Sequence, residues 1–81
     1  MADLRRLRNI GGVTTRWLHG IGITSEADLR AIGAVEAYRR IRSVERGVSL
    51  NLLYALYGAL HDVPWNALPD EIRQRLRSEA E

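Results

Sequence analysis

The sequence predicts an all-α fold, a compact bundle of five to six short helices with an N-terminal helix-hairpin-helix, and three observations carry that reading. No segment sustains the strict apolar–polar alternation of a half-buried strand. Apolar residues recur instead at three- and four-residue spacing between glycine and proline stops. One stretch, about 49–62, is apolar on nearly every side, the pattern of a helix that others pack around.

The elements follow in order. Asp3 to Leu7 or Arg8 predicts two helical turns, Leu4 and Leu7 on one side and Arg5, Arg6 and Arg8 largely on the other. Asn9-Ile10-Gly11-Gly12 ends it. A second helix runs from about Thr14 to His19, with Val13, Trp17, Leu18 and Ile21 at helical spacing and Gly20 and Gly22 as stops. Ser25 is an N-cap, followed by Glu26 and by Asp28 three positions on, and it starts a third helix that ends near Ile32. After Gly33 a fourth helix spans Ala34 to Ser43 or Val44, its inner face Ala34, Val35, Tyr38 and Ile41. Gly47 precedes the central helix, with Ser49 as N-cap and Val48 stapled against Leu53. Pro64 breaks the chain after it, and Trp65 is expected to fold back onto the core. The last helix starts near Pro69, with Leu68, Ile72 and Leu76 inward and Arg73, Arg75 and Arg77 mainly outward.

Length and composition limit what such a chain does. At 81 residues, 46% hydrophobic and 27% charged, it is read as a single folded domain over 1–81. It has no cysteine, which removes disulfides, thiolate metal sites and a cysteine nucleophile. No signal-peptide or membrane-length apolar run is present, so a cytoplasmic location without a membrane partner is expected. All 12 basic residues are arginine, but 10 acids reduce the net charge to +2, too little to announce nucleic acid by itself.

The constellation with functional content is Leu7-Arg8-Asn9-Ile10-Gly11-Gly12-Val13-Thr14-Thr15-Arg16-Trp17-Leu18. A helix-hairpin-helix needs glycine at its turn for positive φ and to expose backbone N–H groups to a phosphate. The candidate nucleic-acid-binding residues are therefore Arg8, Gly11, Gly12, Thr14, Thr15 and Arg16: glycines for close approach, threonine hydroxyls as donors, arginines for charge. The common DNA-binding form reads Gly-hydrophobic-Gly, and here Asn9 replaces the first glycine. Asparagine is the next residue best suited to a left-handed conformation. The competing reading is that the glycines only make a tight connection. Arg39, Arg42 and Arg46 form a secondary basic ridge, but Glu36 and Glu45 beside them favour a solvated charged face.

Several blocks carry a resemblance: Leu-x-Asn-Ile-Gly-x-x-Thr-x-x-Trp-Leu, Gly-Ile-x-Thr-x-x-Asp-Leu, Gly-Ala-x-x-Ala-Tyr, Val-Ser-Leu-Asn-Leu-Leu-Tyr-Ala-Leu-x-Gly-Ala-Leu and Trp-x-x-Leu-Pro. In this order, from Leu7 to about Leu76, they resemble the C-terminal domain of the TfoX (Sxy) competence regulators. The resemblance implies a domain of five or six helices related to helix-hairpin-helix folds. It also implies a bacterial setting in the regulation of DNA-uptake genes, where TfoX acts with a cyclic-AMP receptor protein at promoters. Full-length TfoX proteins carry an α/β domain before this one, so the chain is expected to be a free-standing version or a fragment.

Nothing points to catalysis. His19 and His61 lack ligand-spaced neighbours, Ser25 and Ser49 sit where caps belong, and Tyr54 and Tyr57 fit a core better than a stacking platform. The expectation is a non-enzymatic regulatory binding module without cofactor or small-molecule substrate. Its partner is either the DNA phosphate backbone, through the hairpin turn, or a protein, a transcription regulator or a second copy, through a patch near Trp17 or Trp65.

Overall fold

The computed structural model describes residues 4–81, and among them there is no strand. The expected start of the first helix at Asp3 lies outside the described residues. Leu4–Arg6 form one 3-10 turn where two helical turns were expected. Its bonds step by three residues, Leu7 N–H to Leu4 O at 3.0 Å and Ile10 N–H to Leu7 O at 3.3 Å. A segment this short, ended by a left-handed residue at Asn9 (φ 71°), gains too few bonds to offset helix nucleation. Leu4 is nevertheless fully buried and fixes the turn to the core.

Helix α1 spans Gly12–Gly20 and buries Thr15 and Leu18. It closes through Gly22 N–H to His19 O at 3.0 Å and Ile23 N–H to Leu18 O at 2.9 Å, a Schellman pattern that feeds Ile23 into the core. Helix α2 spans Glu26–Val44 and is interrupted at Gly33, whose φ of 83° and ψ of 164° are not helical. The two helices expected on either side of Gly33 are thus present, meeting at this non-helical residue within the span of α2. A side chain at this φ would be strained, so glycine makes the bend. Ser25 caps α2 by accepting the Asp28 N–H at 3.1 Å.

Helix α3, Leu50–His61, is the central helix. Leu52, Leu53, Tyr54, Leu56, Gly58 and Ala59 are buried, and the helix packs against α2, α4 and a 3-10 turn at Trp65–Ala67. Ser49 holds the N-cap position, but its side chain makes no capping hydrogen bond. Helix α4, Asp70–Ala80, begins one residue later than expected, with Pro69 as N-cap, and buries Leu76 and Ala80.

The arginines of α4 do not all face outward. Arg73 lies 5.1 Å over the Tyr54 ring, and Arg77 donates to the Tyr54 hydroxyl at 2.8 Å. Arginine stems cover apolar surface while the guanidinium finds a π face or an oxygen, so these side chains link α4 to α3. The innermost side chains are Leu4, Leu18, Leu29, Ile41, Leu53 and Leu56. Each is worth roughly 1.5–3 kcal/mol when fully buried. They come from the first turn and from α1, α2 and α3, which holds the hairpin rigidly against the central helix.

Candidate nucleic-acid interface

The turn between the first 3-10 turn and α1 is anchored by Asn9. Its backbone is left-handed, as a substitute for glycine requires. Its side chain adds what glycine lacks: Nδ2 donates to Val63 O at 2.9 Å and to Ala55 O at 3.4 Å, and Oδ1 accepts from Trp65 N–H at 3.2 Å. The hairpin is thereby tied to the end of α3 and the loop behind it. Gly58 permits this approach, because a Cβ there would collide with the Val63 carbonyl and the Asn9 amide. The Asn9 bonds were not legible in the sequence, since the partners lie 46 to 56 residues away.

Gly11 and Gly12 behave differently from what a turn requirement predicts. Gly11 is the N-cap of α1 with φ −103° and ψ −168°, extended backbone open to any residue, and Gly12 is the first helical residue. A Cβ at either position would meet nothing within 4 Å. Positive φ falls on Asn9 alone within this turn. Both glycines are exposed, and no side chain caps the helix start. The amides of Gly12, Val13 and Thr14 thus face outward at the positive end of the nine-residue helix.

The other candidate residues divide. Thr15 is buried and its hydroxyl donates to Gly11 O at 2.8 Å, so it stiffens the helix start and does not reach outward. Thr14 is half-buried, with no side-chain hydrogen bond among the described residues. Arg8 donates through Nε to Asp62 at 3.0 Å, an ion pair whose members are 47% and 84% exposed and therefore weakly held. Arg16 is exposed and has no ion-pair partner among the described residues.

The secondary ridge is not continuous. Arg42 donates to Ala80 O at 3.0 Å and lies 5.1 Å from the Tyr38 ring, where it ties α2 to the end of α4. Arg46 lies past the last residue of α2, Val44, so it does not share a helix face with exposed Arg39. Charge is concentrated at the hairpin instead. Residues 1–25 carry Arg5, Arg6, Arg8 and Arg16 against one carboxylate, Asp3, whereas Glu26 to Glu81 sets eight arginines against nine carboxylates.

Beside the turn lies an open groove of about 340 Å³, lined by Asn9, Thr14, Trp17, Ser49, Leu52 and Trp65 among others. Trp65, expected on the core, is 38% exposed. Its backbone N–H donates to Asn9 Oδ1 and its carbonyl accepts from Arg73 Nη2 at 3.5 Å, and the residue lines the groove. His19 is exposed, and His61 stacks on Tyr57 with centroids 4.1 Å apart. Among the described residues no three His, Cys, Asp or Glu stand close enough to hold a metal, and no helix is long and apolar enough to cross a membrane.

Comparisons agree with this architecture. The family model described as the TfoX C-terminal domain matches residues 1–80. An uncharacterized protein from Listeria monocytogenes, solved in a triclinic form, is 34% identical with a TM-score of 0.88, covering 94% of this chain and 86% of that one. A protein of unknown function from Listeria monocytogenes, in a tetragonal form, is 32% identical with a TM-score of 0.86, covering 93% of each chain. No curated protein sequence matches.

Proposed function

We infer that this chain, which belongs to the TfoX C-terminal domain family, is a non-enzymatic regulatory binding module that holds a nucleic-acid phosphate at the start of α1. The observation that carries the reading is that, among the described residues, neither backbone conformation nor crowding requires glycine at Gly11 or Gly12. Neither has a left-handed φ, and neither is crowded. Their lack of a side chain leaves the outward amides open to close approach, the arrangement in which helix starts take phosphate oxygens. Arg16, without an ion-pair partner among the described residues, supplies a cation nearby, and the arginine-rich segment around it supplies the field.

Such contact reads no base and makes affinity depend on salt. A short DNA duplex titrated with the protein between low and physiological salt is expected to bind with a linear fall of log K against log salt. Arg16→Ala weakens binding and reduces the slope by about one. Absence of binding at low salt contradicts the reading.

A protein-interaction module is the second reading. It is favoured by exposed Val13 (52%) and Trp65 (38%) and by the Arg8–Asp62 pair, which occupies one of the cations. It predicts a mass in solution that rises with protein concentration, or a recoverable partner.

A further inference from the structure

The groove beside the hairpin has a composition that the phosphate site alone does not explain. Two tryptophans line it, Trp17 half-buried and Trp65 38% exposed, and neither indole is taken up by another aromatic ring among the described residues. Three polar side chains line it with hydrogen-bonding capacity unspent. Ser49 stands at the start of α3 without making its cap bond. Asn51 and Thr14 make no side-chain hydrogen bond among the described residues. The sequence predicted a spent cap at Ser49 and a core position for Trp65; both side chains line this groove.

We propose that the groove takes an unpaired nucleobase, stacked on the indole of Trp65 or Trp17 and hydrogen-bonded at its edge by Thr14, Ser49 and Asn51, from a single strand whose phosphate rests on the start of α1. The proposal rests on the phosphate reading above and names the form of nucleic acid that site receives. Three points select a base over an apolar side chain of a protein. An aliphatic occupant leaves the hydroxyls and the amide without partners, which a base edge supplies. The indole faces suit a flat π system. The first 25 residues set four arginines against one carboxylate, Asp3, and Arg8 of the four pairs with Asp62, a balance that suits a ligand carrying phosphates on either side of the base. Thr14 belongs both to the groove and to the first turn of α1, so base and phosphate sites adjoin. In a duplex the bases are stacked and paired, and a groove of this kind reaches only a base already free.

The test uses the whole chain and three probes of equal length: a mixed-sequence single-stranded DNA, an abasic strand with the same number of phosphates, and a duplex. Tryptophan fluorescence and fluorescence anisotropy are followed at low salt. The single strand is expected to bind about ten-fold tighter than the abasic strand and to quench tryptophan emission, which the other two do not. Trp65→Ala, at a half-exposed site, and Asn51→Ala, at an exposed one, reduce single-strand affinity toward the abasic value and leave abasic binding unchanged. Equal affinity for the single and abasic strands, without quenching, overturns the base site while the phosphate reading stands, and leaves the groove to a protein side chain. Failure of all three probes to bind overturns both readings.

Discussion

At the scale of single residues, Asn9 and Gly58 work as a pair across the fold. Asn9 supplies a left-handed turn and a side chain bonded to Val63, Ala55 and Trp65, and Gly58 supplies the space in which that side chain sits. Gly58→Ala is therefore expected to destabilise the protein by about 1–3 kcal/mol, the usual cost of overpacking. Thermal unfolding checks it, at roughly 4–8 °C per kcal/mol for a domain this size. The left-handed state of Asn9 was legible in its place within the glycine turn. The role of its amide was not, because local pattern carries no information about partners so distant in sequence. The same holds for Arg73 and Arg77, which look like a solvated face until Tyr54 is brought beneath them.

At the scale of elements, the helix starts are set by side chains of different kinds. Helix α2 has a complete start. Ser25 accepts the Asp28 N–H, and the Asp28 carboxylate accepts the Thr24 N–H and the Thr24 hydroxyl, each at 3.1 Å. These hydrogen bonds, the Thr24 backbone first, hold the Asp28 carboxyl below its ordinary 3.8. A carboxyl lowered on folding stabilises the folded state above its unfolded value, and that contribution disappears as pH falls through the lowered one. Asp28→Asn is expected to unfold at a lower temperature than the parent at neutral pH. The difference closes in acid below the ordinary carboxylate range, and paired melting curves across pH measure it. Helix α1, by contrast, starts on a bare glycine, and α3 starts on a serine that makes no cap bond. Sequence identified Ser25 and Ser49 correctly as helix starts, because caps are local, but put the start of the second helix near Thr14, two residues inside α1. It could not tell a spent hydroxyl from a free one. It also placed the break at Gly33 correctly, where φ and ψ leave the helical region and the two expected helices meet within α2. The first turn fell short of a helix because its length was marginal for nucleation.

At the scale of the whole molecule, the all-α architecture and the buried central helix were legible from the pattern alone, because apolar spacing dictates which faces must be covered. The distribution of charge needed the fold. A net +2 conceals a basic first third set against a remainder in which carboxylates slightly outnumber arginines. The fold then places Asp62, at the left-handed end of α3, against Arg8 of the hairpin. Asp62→Asn keeps a residue suited to left-handed backbone, frees Arg8 and removes a carboxylate from the approach of a phosphate. It is expected to tighten duplex DNA binding at low salt with little change in stability, since an exposed pair contributes at most about 1 kcal/mol. Weaker binding by this variant in an anisotropy titration contradicts the placement of the phosphate at the hairpin.

The central claim is that the glycines at the start of α1 serve a phosphate and not the fold, and one measurement addresses both halves of it. Gly12→Ala puts a methyl group into open space on a helical backbone. Its melting temperature is expected to equal or slightly exceed that of the parent, because alanine is the better helix former. Its affinity for a short DNA duplex at low salt is expected to fall about ten-fold or more, as the methyl group blocks close approach to the amides. Unchanged affinity at an unchanged melting temperature contradicts the claim.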